Sequence, residues 1–278
     1  MTPTTVSTVT TEVVPEVEFR DVFKTFEQGR SRIEAVREIS FAVPPRQFVA
    51  VVGPSGCGKS TLLSMSAGIL FPNSGQVRLQ GKLVKGVSRD IGYLFQRDTL
   101  LPWKTVLDSV ALPLRFRGVP RTEAEDRAHV WLRKVGLSGF EKQYPYQLSG
   151  GMRKRVALAA VFVYGPSLLL MDEPFSALDV QTRNLMENQL LELWQEDKRT
   201  VLFVTHDLEE AIGLADRVIV MTAHPGRIKR DSAVTLKRPR NINDIRFEPE
   251  FVEQYRAIWQ DLRSEVLTAY ERDARGKV

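Results

Sequence analysis

A glycine-rich run near the start of this 278-residue chain constrains its fold more than any other feature. The run reads Gly53-Pro54-Ser55-Gly56-Cys57-Gly58-Lys59-Ser60-Thr61 and matches the pattern G-x-x-x-x-G-K-[ST]. An apolar, β-branched stretch precedes it at residues 48–52, and helix-forming residues follow it as far as Ile69. The pattern therefore predicts a strand, a loop and a helix in that order.

Such a loop binds phosphate because its backbone N–H groups and the positive end of the helix surround the anion. Lys59 would add a charge beside the β- and γ-phosphates, Ser60 would offer its hydroxyl to Mg²⁺, and Thr61 would reach the α-phosphate. The alternative is a glycine-rich turn that binds nothing. Both glycines, the lysine and the strand-to-helix setting favour a nucleotide.

A second phrase, Leu168-Leu169-Leu170-Met171-Asp172-Glu173, predicts a buried strand with two carboxylates at its end. Ligands of open α/β sheets collect at that end of the strands. Asp172 would hold Mg²⁺ through water, and Glu173 would polarise the water that attacks the γ-phosphate. An acidic turn after a core strand is the alternative.

A third phrase, Leu148-Ser149-Gly150-Gly151-Met152, indicates the start of a long helix. Serine followed by two glycines at a helix start leaves N–H groups free at the positive end of the dipole, which suits another anion. The simpler interpretation is an ordinary N-cap.

The order of the remaining patterns indicates domain organisation. Strands and helices alternate over residues 168–221, which is typical of a parallel, doubly wound core. Alternating strands at residues 17–22 and 76–81 predict a β-rich start, and residues 105–164 have a helical pattern. We therefore expect a disordered leader (1–15), an α/β domain (16–245) with an inserted helical subdomain at about 98–165, and a C-terminal helical tail (246–278).

Composition sets wider limits. The 39 Lys and Arg against 34 Asp and Glu suit a polyphosphate or an anionic surface, although a mildly basic solvated surface is the more ordinary explanation. Cys57 is the only cysteine, so it forms no intramolecular disulfide; if its thiol is accessible, labelling should block nucleotide binding. The apolar stretch 156–171 is broken by Gly165-Pro166-Ser167 and predicts a helix end followed by a strand, so any membrane role needs a partner.

Taken together, these phrases resemble the ATP-binding cassette (ABC) family of ATPases over nearly the whole chain after Pro15, and Leu148 to Met152 is similar to that family's signature motif. The resemblance implies a P-loop NTPase core with a parallel sheet, an antiparallel β subdomain and an inserted helical subdomain. It also implies that Ser149, Gly150 and Gly151 face the ATP of a second cassette, identical or paralogous, so that two ATP molecules lie between the subunits.

The resemblance extends to four more residues. Gln96 is similar to the glutamine that senses Mg²⁺ and the attacking water, and His206 to the switch histidine that contacts the γ-phosphate. Asp179 corresponds to the loop that crosses the dimer, and Phe26 to the aromatic ring stacked on adenine. Phe26 as a core residue and Gln96 as a plain polar loop residue are the alternatives.

Residues 96–103 place Leu100, Leu101 and Trp103 in a loop, where exposed apolar side chains call for a partner. The family resemblance implies that a membrane permease docks there; a locally buried loop is the alternative. Further phrases, including residues 224–227, are similar to the nitrate, sulfonate, taurine and bicarbonate importer branch, whereas Ala160 departs from the arginine of many relatives.

The function expected from the resemblance is ATP-driven uptake of a small, anionic solute. The ATPase would lie on the cytoplasmic face of the cell membrane, beneath a permease that an extracytoplasmic substrate-binding protein serves. One alternative is a non-transport ABC ATPase acting on nucleic acid or ribosomes. ATPases of that kind usually have two fused cassettes or long inserted coiled coils, and this sequence shows neither. We therefore expect no nucleic acid as a partner. Another alternative is a weakly catalytic regulatory subunit.

Overall fold

The structure is a computed structural model that describes residues 13–29 and 31–275, so the predicted leader lies outside it except for residues 13–15. The strands are β1 (Val17–Gln28), β2 (Ser31–Val43), β3 (Phe48–Val52), β4 (Ser74–Leu79), β5 (Lys82–Leu83), β6 (Ile91–Leu94), β7 (Leu168–Asp172), β8 (Thr200–Thr205), β9 (Arg217–Met221) and β10 (Ile228–Ala233). The helices are α1 (Lys59–Ser66), α2 (Val106–Arg115), α3 (Arg121–Lys134), α4 (Gly150–Phe162), α5 (Val180–Asp197), α6 (Leu208–Leu214), α7 (Ile242–Ile245) and α8 (Pro249–Arg275). No helix in this part of the chain is both long and apolar enough to cross a bilayer.

The central sheet has the strand order β10-β9-β3-β8-β7-β6 within the described residues. Strands β9, β3, β8, β7 and β6 run parallel, and β10 is antiparallel to β9. Both faces of β3 are buried, because Phe48, Ala50 and Val52 face one apolar cluster while Val49 and Val51 face another. A sheet covered on both faces explains why its strands are continuous apolar runs in the sequence.

An antiparallel sheet of order β2-β1-β4-β5 covers the second of these clusters. Phe19 of β1 and Phe41 of β2 stack with ring centroids 4.7 Å apart inside it. The predicted β-rich start is thus confirmed, and this sheet packs beside the strand that leads into the glycine-rich loop.

Helices α2, α3 and α4 contact one another in the stretch for which a helical pattern was predicted. Ser149 accepts a hydrogen bond from the N–H of Met152 (3.2 Å), which confirms the predicted helix start. The break at residues 165–167 separates α4 from β7, as the interrupted apolar stretch predicts. The exact limits of the domains and of the helical subdomain stay predictions.

The predicted C-terminal tail (246–278) contains the long helix α8 (Pro249–Arg275). Phe251, Ile258 and Leu262 bury one face of the helix against the core. Along the same helix the rings of Phe251, Tyr255 and Trp259 stack in sequence, 6.4 and 6.2 Å between centroids. The apolar residues that recur at helical spacing in the sequence therefore line the buried face of α8.

Candidate nucleotide-binding site

Parallel pairing brings the candidate residues to one edge of the central sheet. β3 pairs with β8, β8 with β7, and β7 with β6, all in parallel, so their carboxyl ends are neighbours. The glycine-rich loop follows β3, Glu173 follows β7, His206 follows β8, and Gln96 lies just beyond β6. Three segments distant in sequence thus converge on the loop, as ligand sites of open α/β sheets do.

The loop is shaped by Gly58 and closed by Lys59. Gly58 caps α1 with φ 97°, and a Cβ there would lie 2.4 Å from Cγ1 of Val36, so both conformation and space require glycine. The Lys59 ammonium donates to the carbonyls of Gly53 (2.8 Å) and Pro54 (3.1 Å) and is 5% exposed. It lies 3.9 Å from Oε1 of Glu173, which places the cation between the loop and the acidic strand end.

The Cys57 thiol is fully buried, and burial raises its pKa. A buried thiol with a raised pKa is a poor nucleophile. The condition of the labelling test, an accessible thiol, is therefore not met in this conformation, and Cys57 is a small packing residue of the loop.

Ser60 and Asp172 form the oxygen-rich part of the site. The Ser60 hydroxyl donates to Oδ1 of Asp172 at 2.9 Å. Burial raises the pKa of Asp172, and the nearby charge of Glu173 raises it further, while hydrogen bonds from Ser60 and Tyr93 and the charge of Lys59 oppose the shift. Hydroxyl and carboxylate oxygens are the ligands that Mg²⁺ prefers, and a cation there would offset the burial of the carboxylate, so these residues fit that ion.

Glu173 is the centre of a hydrogen-bonded group at the end of β7. Its Oε2 lies 2.9 Å from Nδ1 of His206 and accepts from Nε2 of Gln96 at 3.4 Å. The residue has φ 42°, a left-handed conformation that costs a non-glycine residue about 1 kcal/mol or more. The conformation is held by a hydrogen bond from its N–H to the Val204 carbonyl (2.8 Å). In this conformation the carboxylate lies within reach of both the glutamine and the histidine.

A cavity of about 520 Å³ opens in front of this group. Its walls include Gln96, Glu173 and His206 and also Gly150, at the start of α4. The signature phrase and the acidic strand end therefore border the same open face of one chain. A second molecule approaching that face would contact both.

The other predicted residues lie in separate places. Phe26 is 39% exposed on β1, with the Lys24 ammonium 5.3 Å from its ring centroid, so it is not a core residue. Asp179 caps α5 by accepting from the N–H of Thr182 at 3.0 Å, and that hydrogen bonding lowers its pKa. Leu100 packs against the core, whereas Trp103 is 69% exposed. The alternative of a buried loop therefore holds for Leu100 but not for Trp103, and the docking of a permease at this loop stays a prediction.

Sequence reasoning missed Lys154, which is 4% exposed on α4. Its ammonium donates to the carbonyls of Gln96 (2.7 Å) and Phe95 (3.4 Å) and lies 3.3 Å from Oδ1 of Asp98. Burial lowers its pKa, and the Asp98 charge opposes that shift. One feature of the sequence could have identified it: Lys154 lies in the first turns of a helix, where the helix dipole disfavours a cation.

Replacing Lys154 with Met should lower ATP turnover about ten-fold, since the backbone of Gln96 loses its buried charged donor. Turnover at saturating ATP measures the effect. Lys142, an exposed lysine of the same helical region, provides the matched Met control. Equal turnover in the two variants would contradict a role for Lys154 in placing Gln96.

A pair of buried carboxylates lies beneath the turn that carries His206. Glu187 of α5 is 2% exposed and Glu210 of α6 is 4% exposed, and Thr205 donates to Oε2 of Glu210 at 2.5 Å. Burial, followed by the charges of Glu210 and Asp207, raises the pKa of Glu187 to about 8. The opposing charges are those of Arg246 and Arg183.

Replacing Glu187 with Gln should therefore change how stability depends on pH. The folded protein keeps the Glu187 proton up to about pH 8, whereas the unfolded chain releases it near 4.5, so the parent loses stability as pH rises through this window. We expect the melting temperatures of parent and variant to be similar near pH 5 and the variant to be more stable above pH 8. The exposed Glu192→Gln serves as control. A difference that does not change with pH would rule out this titration.

Comparisons with known proteins agree with the geometry. Residues 36–176 match the model of the family described as ABC transporter. An uncharacterised ABC transporter ATP-binding protein of Methanocaldococcus jannaschii is 47% identical, covering 91% of this chain and 93% of the relative. The taurine import ATP-binding protein TauB of Rhizobium johnstonii is 43% identical, covering 90% of this chain and 98% of TauB.

Among solved structures, a dimeric ATP-binding cassette in a post-hydrolysis state, bound to ADP and Pi, aligns with a TM-score of 0.71. It is 32% identical and covers 80% of this chain and 100% of its own. Sequence, fold and the residues at the strand ends all agree. The chain therefore belongs to the ABC transporter family, as one of its ATP-binding, ATP-hydrolysing subunits.

Proposed function

We propose that this chain is the ATPase subunit of an importer that takes up a small anionic solute of the nitrate, sulfonate, taurine or bicarbonate type. The proposal that the chain hydrolyses ATP rests on the position of the Glu173 carboxylate. Its Oε2 lies 2.9 Å from Nδ1 of His206 and 3.4 Å from Nε2 of Gln96. Its Oε1 lies 3.9 Å from Nζ of Lys59. A carboxylate held among these partners is placed to take a proton from a water that attacks the γ-phosphate.

The residues of the phosphate loop, Gly53 to Thr61, bind the ATP phosphates through backbone N–H groups and the Lys59 ammonium. Ser60, Asp172 and Gln96 would hold Mg²⁺, and the ion would supply positive charge that neutralises the phosphates. His206 contacts the γ-phosphate, and its hydrogen bond to Glu173 couples that contact to the base. Phe26, exposed on β1, stacks on the adenine.

A second cassette, identical or paralogous, completes each site. Ser149, Gly150 and Gly151 of one subunit face the ATP of the other, and Asp179 lies in the loop that crosses between them. Two observations support this arrangement: Gly150 lines the same open cavity as Glu173, and the structural neighbour is itself a dimer.

The permease docks on the helical region. A groove of about 310 Å³ runs beside residues 96–103 and is lined mainly by apolar side chains, among them Leu100, Leu101 and Phe116. Trp103 and Phe116 are 69% and 77% exposed. An apolar helical segment of a membrane subunit fits such a groove, and Gln96 at one end of residues 96–103 connects it to the nucleotide.

The direction and the solute class rest on similarity. TauB is a taurine import protein by name, and the phrases Leu100-Leu101-Pro102-Trp103 and His224-Pro225-Gly226-Arg227 are similar to its branch. The partners are then two permease subunits and, indirectly, an extracytoplasmic substrate-binding protein. The ATPase lies peripherally on the cytoplasmic face of the membrane.

The test is to purify this chain with its copurifying membrane subunits, reconstitute the complex in vesicles, and measure ATP-dependent uptake of taurine, nitrate, bicarbonate and an alkyl sulfonate. Uptake of one of these anions supports the proposal. ATP hydrolysis stimulated by nucleic acid, without a membrane partner, would overturn it in favour of a non-transport ATPase.

Trp103→Ala should reduce uptake by the reconstituted complex about ten-fold, while ATP turnover of the isolated chain stays unchanged. The reason is that an exposed aromatic ring at a docking surface contributes to partner binding and not to the catalytic group. Phe247→Ala removes a ring that is even more exposed, elsewhere on the chain, and is the control. Unchanged uptake in Trp103→Ala would place the permease on another face.

A further inference from the structure

A short loop at residues 222–227 lies between the C-terminal helix α8 and the phosphate loop. The loop is closed on itself, because the N–H of Thr222 donates to the Arg227 carbonyl and the N–H of Arg227 donates to Oγ1 of Thr222, both at 2.9 Å. The Thr222 hydroxyl also donates to the Pro225 carbonyl at 3.0 Å. These bonds make the 222–227 loop a compact unit.

One side of the 222–227 loop rests on the phosphate loop. A Cβ on Gly226 would lie 2.0 Å from the carbonyl oxygen of Cys57, so the two backbones are in direct contact. Gly226 also pairs with β2: its N–H donates to the Ala35 carbonyl (3.0 Å) and its carbonyl accepts from Arg37 (2.9 Å). Gly58 packs against Val36 of the same strand. The 222–227 loop and β2 therefore form a common support beneath the phosphate loop.

The imidazole of His224 adds a polar contact to this support. Burial and the charge of Arg272 lower the pKa of His224, and a hydrogen bond to the backbone of Gly56 opposes that shift.

The other side of the 222–227 loop is held by α8. Oε2 of Glu265 accepts from the N–H of Ala223 at 2.7 Å, and its Oε1 lies 2.7 Å from the Lys229 ammonium. Further along the helix, the Arg272 guanidinium donates to the carbonyl of His224 at 2.9 Å. Two charge-assisted hydrogen bonds thus fix two consecutive residues of the loop.

We propose that Glu265 and Arg272 of α8 are positioning residues for the phosphate loop, acting through the 222–227 loop. Phosphate binding depends on where the backbone N–H groups of residues 55–59 point, so a support in contact with the Cys57 carbonyl sets the affinity for ATP. The first part of α8 is anchored independently of Glu265 and Arg272, because Phe251, Ile258 and Leu262 are buried against the core. A ligand or partner that displaced the end of α8 would loosen the nucleotide site.

This inference rests on the ATP binding described above and is independent of the transported solute. The experiment compares Glu265→Ala, Arg272→Ala and the double variant in the full chain. Matched controls are Glu253→Ala and Arg263→Ala, two exposed residues of the same helix. A fluorescent ATP analogue gives the Kd, steady-state kinetics give KM and kcat, and a melting curve gives Tm.

We expect the double variant to bind ATP about five-fold more weakly, because the two lost hydrogen bonds act on the nucleotide only through the 222–227 loop. Its kcat at saturating ATP should stay within about two-fold of the parent, and its Tm should match that of the controls. Glu265→Gln and Arg272→Lys, which keep an acceptor and a donor, should restore most of the affinity.

Unchanged ATP affinity in the double variant would overturn the inference. A rise in KM accompanied by a fall in both kcat and Tm would also overturn it, because that combination indicates a merely structural role. Failure of the parent chain to bind the ATP analogue would instead contradict the nucleotide site itself.

Discussion

Replacing Glu173 with Gln is expected to stop ATP hydrolysis while leaving ATP binding intact. The amide cannot accept the proton of the attacking water, and loss of a general base costs about 100-fold or more in turnover. It can still pair with Gln96 and His206, which lie 3.4 and 2.9 Å from the carboxylate, so the site should keep its shape. Phosphate release measures turnover, and size-exclusion chromatography with ATP should show an accumulated closed dimer.

The control for this change is Glu192→Gln, an exposed glutamate of α5 far from the strand end in sequence. It should hydrolyse ATP at the parental rate. A Glu173→Gln variant that also turned over at the parental rate would show that another group takes the proton.

Replacing Gly58 with Ala should weaken ATP binding about 100-fold, equivalent to about 2.7 kcal/mol. The new Cβ would lie 2.4 Å from Cγ1 of Val36 and 3.0 Å from the Ala35 carbonyl, at a residue whose φ is 97°. The loop must shift to relieve this contact, and its backbone N–H groups then no longer converge on the phosphates. Titration with a fluorescent ATP analogue measures the loss.

Gly118 offers a matched comparison, because it has φ 84° but a Cβ added there would meet no heavy atom of the described residues within 4 Å. Gly118→Ala should lose about 1 kcal/mol of stability through backbone strain alone and bind ATP normally. Equal ATP affinity in the two alanine variants would mean that the Val36 contact does not shape the loop.

A sequence can predict those parts of the fold that depend on residues close together along the chain. The strands Thr200–Thr205 and Arg217–Met221 have the bounds that their apolar, β-branched runs predict. The start of α4 at Ser149 follows from a side chain that caps its own helix. The phosphate loop needs glycine because its turn into α1 requires a positive φ, which is a local property of the backbone.

The placement of the site depends on contacts between distant segments. Strand order puts β8 between β3 and β7, and no local pattern records which strands pair. Lys154 supports Gln96 from a helix 58 residues away in sequence. The sequence shows a lysine in the first turns of a helix, but only the packed structure shows which carbonyls it reaches.

The sequence by itself determined the phosphate loop and the acidic strand end and predicted a second anion-binding helix start, each a short phrase with its own physical reason. The tertiary structure alone decided that Glu173 lies among Lys59, Gln96 and His206, and that α8 reaches the phosphate loop through Gly226. The reason is that backbone conformation and helix capping are local properties, whereas strand pairing and close packing join residues that are far apart along the chain.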